Sequence, residues 1–405
     1  MAPFIGRLFG GGGRASASVQ AHPAPPERKA SRTAALFAVS GPGRPVWTPR
    51  DYHALAREGF QRNAVVHRCV RLIAEAAASV PLLLREGRRE FDTHPLLALL
   101  ARPNPREAGA AFLEAVFGHL LVAGNAYVEA VALDGAPREL YALRPDRMQV
   151  VPGPDGWAAA YDYRAGGNAV RFRQEGEVPP ILHLRLFHPA DDHYGLSPME
   201  AAAMALDIHN ASAGWNKALL DNAARPSGAL IYAGTDGGNL TDAQFERLKA
   251  ELEAQFQGAA NAGRPLLLEG GLDWRQLSLT PAEMDFAEAQ AAAAREIALA
   301  FGVPPLMLGL PGDSTYANYA EANRAFWRQT VIPLVRRTAQ ALAQWLSPAY
   351  GATLALEPDL DGIEALAGER EALWRRITAA DFLTVDEKRE AVGYGARPAA
   401  REAGR

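Results

Sequence analysis

Three features of this sequence predict an α+β fold. Apolar residues recur at helical spacing through 63–79 and again through 107–123. Between about 124 and 187 the pattern changes to short alternating runs divided by Gly, Pro and Asp, as strands and turns require. Beyond 195, two long alanine-rich stretches without helix breakers bracket a small insert of mixed strand and helix character.

Residues 1–45 are rich in Gly, Pro, Ala and Ser and lack apolar periodicity, which predicts disorder, with order beginning near Val46-Trp47. The opening apolar patch is broken by Arg7 and by the four glycines at 10–13, so it makes a poor signal peptide. No run approaches the ~20 apolar residues of a membrane helix, and we expect a chain made in the bacterial cytoplasm. Val65, Val66, Cys69, Leu72, Ile73 and Ala76 share one helical face, and that helix must stop before Pro81. "VPLLLREGRREF" reads as a hairpin turning at Glu86-Gly87. A second helix, 107–123, places Phe112, Val116, Phe117, Leu120 and Leu121 together. With the strands that follow, 46–195 forms one α+β domain.

Ser197 as N-cap and Pro198 at the first helical position open a helix with no breaker until Pro226. Some 25 residues of helix reach ~37 Å. So long a helix with so weak an apolar stripe should find partners on more than one side. The insert, 227–280, reads as strand 227–234, helix 241–257 opened by a Thr241/Gln244 capping box, and two further strands. A second alanine-rich helix follows Thr280-Pro281 and runs to Gly302, within 281–303. The loop 304–317 comes next, begun by Pro304-Pro305, which cannot continue a helix. A third long helix within 318–350 should be kinked by Pro333. A strand-like "ATLALEPDL" and a helical region complete 351–395, before a loose tail at 396–405.

The net charge of −4 argues against a chain that clamps nucleic acid with a broad basic face, although DNA could still pass by it. Only four of the 42 basic residues are Lys. The one cysteine, Cys69, falls in an apolar helical face and reads as a buried, inert thiol. Asp313-Ser314-Thr315 after Gly312 superficially suggests a phosphate cradle, but a P-loop needs a lysine before the hydroxyl residue and a strand before the glycines. His183, His188, Asp191, Asp192 and His193 in "HLRLFHPADDHYG" could ligate a metal, so the alternative function is a metal-dependent hydrolase. Their spacing matches no zinc signature, and the segment reads more naturally as a strand-end loop before a helix N-cap, where acidic residues suit the helix dipole. Ser197 lacks the G-x-S-x-G of a nucleophile elbow. Glu283, Asp285, Glu288 and Glu296 on the second alanine-rich helix form either a solvated face or the lining of a passage. We find no catalytic constellation and expect no cofactor and no enzyme activity.

Six segments, in order, resemble the portal proteins of long-tailed double-stranded DNA phages and gene transfer agents: "LLVAGNAYVE", "DDHYGLSPMEAA", "NAARPSGAL", "REIALAFGVPPLMLG", "YANYAEANRAFWRQTVIPLVRR" and "LTVDEKREAVGYGARP". The resemblance covers about 46–395. It implies a wing (46–195), two stem helices (196–226 and 281–303), a clip (227–280) and a tunnel loop (304–317). A kinked wing helix (318–350) and a reduced crown (351–395) complete the fold. It implies a ring of about twelve copies at one capsid vertex. Its partners would be passing DNA, the large terminase, a head–tail adaptor and the major capsid protein, with no membrane. Leu310, Asp313, Ser314, Thr315 and Tyr316 would face the DNA, with Pro304, Pro305, Gly309 and Gly312 as loop hinges. Glu283, Asp285, Glu288 and Glu296 become possible bore-lining residues. The chain is short for the family, which leans toward a gene transfer agent or a compact prophage.

Overall fold

The computed structural model describes residue 48 and residues 51–221, 228–232, 247, 272–276, 286–310 and 316–394. The expected disorder of 1–45, helix 241–257, strand 264–270 and the tail 396–405 lie outside the described residues.

Asp51 accepts a hydrogen bond from the Ala54 N–H and starts α1, an α turn (Tyr52–Ala54) that widens into a π-helical stretch (Leu55–Gln61). Asn63 then caps α2 (Ala64–Ala78), its Oδ1 accepting from the N–H groups of Val65 and Val66. Of the predicted face of α2, Val66, Cys69 and Ile73 are buried and Val65, Leu72 and Ala76 pack half-buried against the core, while Val70, Ala74 and Ala77 extend the buried side. Cys69 is fully buried and burial pushes its thiol up to about 12, so it is not a nucleophile at neutral pH.

The hairpin β1 (Leu82–Glu86) and β2 (Arg89–Phe91) gains a third, C-terminal strand, β11 (Ala355–Pro358), antiparallel to β1. After α3 (Pro95–Ala101), α4 (Gly109–Ala123) packs on α2. It ends at Gly124 in the left-handed conformation, φ 70°. Gly124 has a second reason to be glycine: a Cβ there would lie 2.4 Å from the Gly195 carbonyl oxygen, and one on Gly195 would lie 2.1 Å from that of Gly124.

β3 (Asn125–Leu133) is the centre of a sheet ordered β4 (Ala136–Leu143), β3, β8 (Ile181–Arg185). Ala126, Val128 and Ala130 join the main apolar core with α2 and α4. A second meander, β5 (Met148–Pro152), β6 (Ala158–Ala165) and β7 (Asn168–Arg173), contributes Tyr161, which meets Tyr127 edge-on at 5.8 Å. Each fully buried apolar side chain of this core, Ile73, Phe112 and Phe117 among them, stabilises it by about 1.5–3 kcal/mol.

Ser197 and Pro198 open a helix as expected, but it is not continuous. A single turn, α5 (Pro198–Ala201), is separated from α6 (Ala203–Asp221) by Ala202 at φ −89°, ψ 9°. α6 packs against α7 (Phe286–Ala300), with Ala203, Ala205 and Leu206 buried on one helix and Ala293, Ala294, Ile297 and Ala298 on the other. Small side chains let the two backbones come close. Polar contacts tie α6 to the N-terminal helices: Asp207 accepts from the Thr48 N–H at 3.0 Å, Asn210 Nδ2 donates to the Glu58 carbonyl at 2.9 Å, and Asn63 Nδ2 donates to Asn210 Oδ1 at 2.9 Å. Between α6 and α7, β9 (Gly228–Tyr232) and β10 (Leu272–Gln276) pair antiparallel.

The last long helix has three parts: α8 (Tyr316–Phe326), a π-helical segment (Trp327–Val331) and α9 (Ile332–Leu346). Pro333 explains the middle part. Its ring would strike the carbonyl four residues back in a regular helix, and the π segment widens the ladder there, with the Ile332 N–H reaching Trp327 O instead. β11 then returns to the first sheet, and α10 (Ala367–Thr378) and α11 (Val385–Ala391) follow. Thr384 and Glu387 cap α11 reciprocally. Among the described residues no helix is long and apolar enough to cross a membrane.

Candidate functional site

The residues at the base of the 304–317 loop are held more firmly than the sequence suggests. α7 ends in a Schellman motif: the Val303 N–H donates to Ala298 O at 2.9 Å and the Gly302 N–H to Leu299 O at 3.0 Å, with Gly302 at φ 67°. The helix therefore stops before Pro304, which is extended at φ −57°, ψ 129°. Pro305 begins a 3-10 turn (Pro305–Leu308) whose Met307 and Leu308 rest on the main core. Gly309, at φ 71° and with open space around its Cα, is where the backbone leaves that turn. Leu310 is half-buried, and its N–H still donates to Pro305 O at 3.3 Å.

Gly312, Asp313, Ser314 and Thr315 lie outside the described residues, and Tyr316 begins α8. On the far side, Thr330 of the π segment donates its hydroxyl to the Gly302 carbonyl at 2.6 Å. The end of α7 and the irregular part of the third helix are thus fastened together, with the loop strung between them. Gly302 is legible in the sequence as a helix end; Thr330, 28 residues away, carries no local signal. Of the acidic residues on the second alanine-rich helix, Glu288 and Glu296 are exposed on α7, and Glu283 and Asp285 lie outside the described residues.

Among the described residues, no group of three or more His, Cys, Asp or Glu is arranged to hold an ion. The side chains of the histidine–aspartate segment are committed elsewhere. His183 stacks on Tyr127 at 4.2 Å between ring centroids, and its Nε2 lies 2.9 Å from Asn125 Oδ1. Burial foremost, then the charges of Arg185 and His193, push its pKa down to about 3, so the ring is neutral. Nε2 then carries the proton given to Asn125, and Nδ1 faces the Tyr161 hydroxyl at 3.4 Å.

The Asp191 carboxylate accepts from the N–H groups of His193 and Tyr194 at 2.7 and 2.9 Å, and these bonds hold its pKa low against a desolvation penalty. His188 Nδ1 accepts from the Ala190 N–H at 3.1 Å. The segment is the turn that brings the chain from β8 to α5. Its centre is Asn125, missed by sequence reasoning: Oδ1 also accepts from the Gly195 N–H at 2.8 Å, while Nδ2 donates to Ala123 O and Gly195 O.

Comparison with known proteins bears on this arrangement of paired alanine-rich helices and a third helix interrupted by a π segment. The family model described as Phage portal protein matches residues 64–393. A protein of Rickettsia bellii (strain RML369-C) is 43% identical over 340 residues, 83% of this chain and 88% of its own length. The portal protein of Enterobacteria phage HK97 is 25% identical over 349 residues, 82% of this chain and 78% of its own. In the neck of an empty gene transfer agent (GTA) particle, computed with C6 symmetry, a chain is 57% identical. It superposes with a TM-score of 0.67 over 88% of this chain and 97% of that one. The neck of the native GTA particle, computed with C12 symmetry, gives 57% identity and 0.65 over the same shares. The chain belongs to the phage portal protein family.

Proposed function

We propose that this chain is the portal of a DNA-packaging particle, forming a ring of about twelve copies at one capsid vertex. The observation that carries the reading is the 57% identity, over 97% of its length, to a chain in a particle neck computed with C12 symmetry. In this reading residues 46–195 are the wing, α6 and α7 belong to the stem, and the insert around β9 and β10 is the clip. The loop 304–317 reaches toward the axis, α8 and α9 cross the wing, and α10 and α11 form a small crown. The clip meets the terminase motor and later the head–tail adaptor, while the outer surface meets the capsid protein. The chain acts as a structural conduit and catalyses nothing.

Physical argument supports a conduit of this composition. Each phosphate neutralised by a cation adds salt-dependent affinity, and a site with six to ten such contacts would grip DNA. A chain of net charge −4, with Glu288 and Glu296 exposed on α7, lets a duplex slide. Electron micrographs of the purified protein test the reading: annular particles viewed end-on are expected, and a stable monomer under assembly conditions would refute it.

A further inference from the structure

The root of α6 is fastened to the N-terminal helices by a cluster of polar side chains, and the geometry of that cluster dictates the charge of a histidine. Asn63 is 2% exposed, and its Oδ1 accepts from the N–H groups of Val65 and Val66, both at 3.1 Å. The orientation of its amide is thereby fixed, with Nδ2 as the donor end. One Nδ2 hydrogen goes to Asn210 Oδ1 at 2.9 Å, and the other faces His209 Nδ1 at 3.0 Å. His209 Nδ1 must therefore accept, which leaves the ring neutral with its proton on Nε2. Nearby, the fully buried Met199 of α5 seats its sulfur against Gly59, where a Cβ would lie 2.4 Å from it. The helix break at Ala202 lies between the Met199 and His209 contacts.

We infer that His209 is an acid-sensitive latch, which fixes the root of α6 to the Asn63 cap when neutral and loosens it on gaining a proton. A proton on Nδ1 would set N–H against N–H across 3.0 Å. Asn63 cannot answer by turning its amide, because both cap bonds to α2 would be lost. The half-buried imidazole must then leave for water, and the break at Ala202 gives α6 a point about which to re-aim. The surroundings agree in sign. Burial lowers the His209 pKa from its ordinary 6.5, and it is the one cause of the shift. The charged groups on the elements packed around α6 are engaged elsewhere or face water. Glu58 of the π-helical stretch is bonded by Arg57 and Arg62, and Asp207 by Thr48. His67 and Arg68 on α2, and Glu288, Arg295 and Glu296 on α7, are exposed. The latch is therefore complete well above pH 6.5, where the ring is neutral even in the unfolded chain, and weakens as pH falls through the lowered folded value.

Hydrogen–deuterium exchange of the full-length chain, read by mass spectrometry and corrected for the intrinsic pH dependence of amide exchange, tests the latch. The amides of 203–210 are expected to exchange on the order of tenfold faster at pH 5 than at pH 7.5. His209→Asn keeps an acceptor near the Nδ1 position that takes up no proton, and is expected to exchange equally at both pH values. Equal protection of the unmodified protein at pH 5 and 7.5 would overturn the proposal. The same acid step in His209→Asn would also overturn it, since the step would then belong to another group. Should that variant fail to fold, exchange at the imidazole C2 carbon reports the ionisation of His209 in the unmodified chain. A midpoint below 6.5 is expected there, and one at or above 6.5 would overturn the latch. None of these readouts requires a ring, so the portal reading is tested separately.

Discussion

The Thr330 hydroxyl lies 2.6 Å from the Gly302 carbonyl oxygen, joining the end of α7 to the π segment of the third helix across 28 residues. Gly302 has no room for a side chain there: its φ is 67°, and a Cβ would sit 2.7 Å from Thr330 Oγ1. The loop that we place at the axis thus departs from a fixed post.

Gly302→Ala should cost about 1–3 kcal/mol through left-handed strain and that close contact, and Thr330→Ala about 1 kcal/mol through one lost hydrogen bond. Because the alanine methyl meets the very hydroxyl that the second change removes, the double variant should be less destabilised than the sum, by about 0.5–1 kcal/mol. Denaturant unfolding of the four proteins measures the cycle. Strict additivity would show that the two residues do not act as a clamp.

Trimming residues 310–316 should leave ring assembly intact and impair DNA packaging or retention in the particle. The 3-10 turn before the cut rests on the core through Met307 and Leu308. Normal packaging by the trimmed protein would remove the loop from the DNA path.

Glu129, on the central strand β3, is 6% exposed, and burial raises its carboxyl from an ordinary 4.5 to about 7. Between those values the unfolded chain ionises and the folded chain does not, so stability falls as pH rises through that window and levels off above it. The full loss is on the order of 3 kcal/mol. Glu129→Gln should flatten that slope and melt higher than the unmodified chain at pH 8. Equal slopes in the two proteins from pH 5 to 7 would contradict the assignment.

Asn125→Ala should destabilise by about 3 kcal/mol, because it leaves the buried His183 Nε2 and Gly195 N–H without their acceptor. Thermal melts read the loss directly. An unchanged melting temperature would mean that water takes over the role of the amide.

Chelators should leave the melting temperature where it is. The groups that could have bound zinc are used by the turn itself, with His183 neutral and stacked and Asp191 holding two backbone N–H groups. Stoichiometric metal found in the purified protein would reverse this conclusion.

Much of the fold was legible because its signals are local. The apolar spacing of α2 and α4, the cap at Ser197, the Gly302 stop and the Pro333 irregularity are each written within a few residues. The six ordered segments also carried the family. The candidate site was less legible. The His183–Asp191 segment offered ligand types at plausible intervals, yet spacing along a chain does not tell whether side chains converge. Here Tyr127 and Asn125, brought in by the pairing of β3 with β8, claimed the imidazole first.

By itself the sequence determined the helix start at Ser197-Pro198, the helix stop at Gly302, the apolar faces of α2 and α4, and that no lysine-bearing phosphate loop is present, since each follows from neighbouring residue types. Only the tertiary structure decided that Thr330 holds Gly302, that Gly124 and Gly195 must approach within contact, and that Asn125 claims the His183 ring. Those outcomes depend on which distant surfaces meet, and burial and hydrogen bonding between partners far apart in the chain leave no periodic trace in either partner alone.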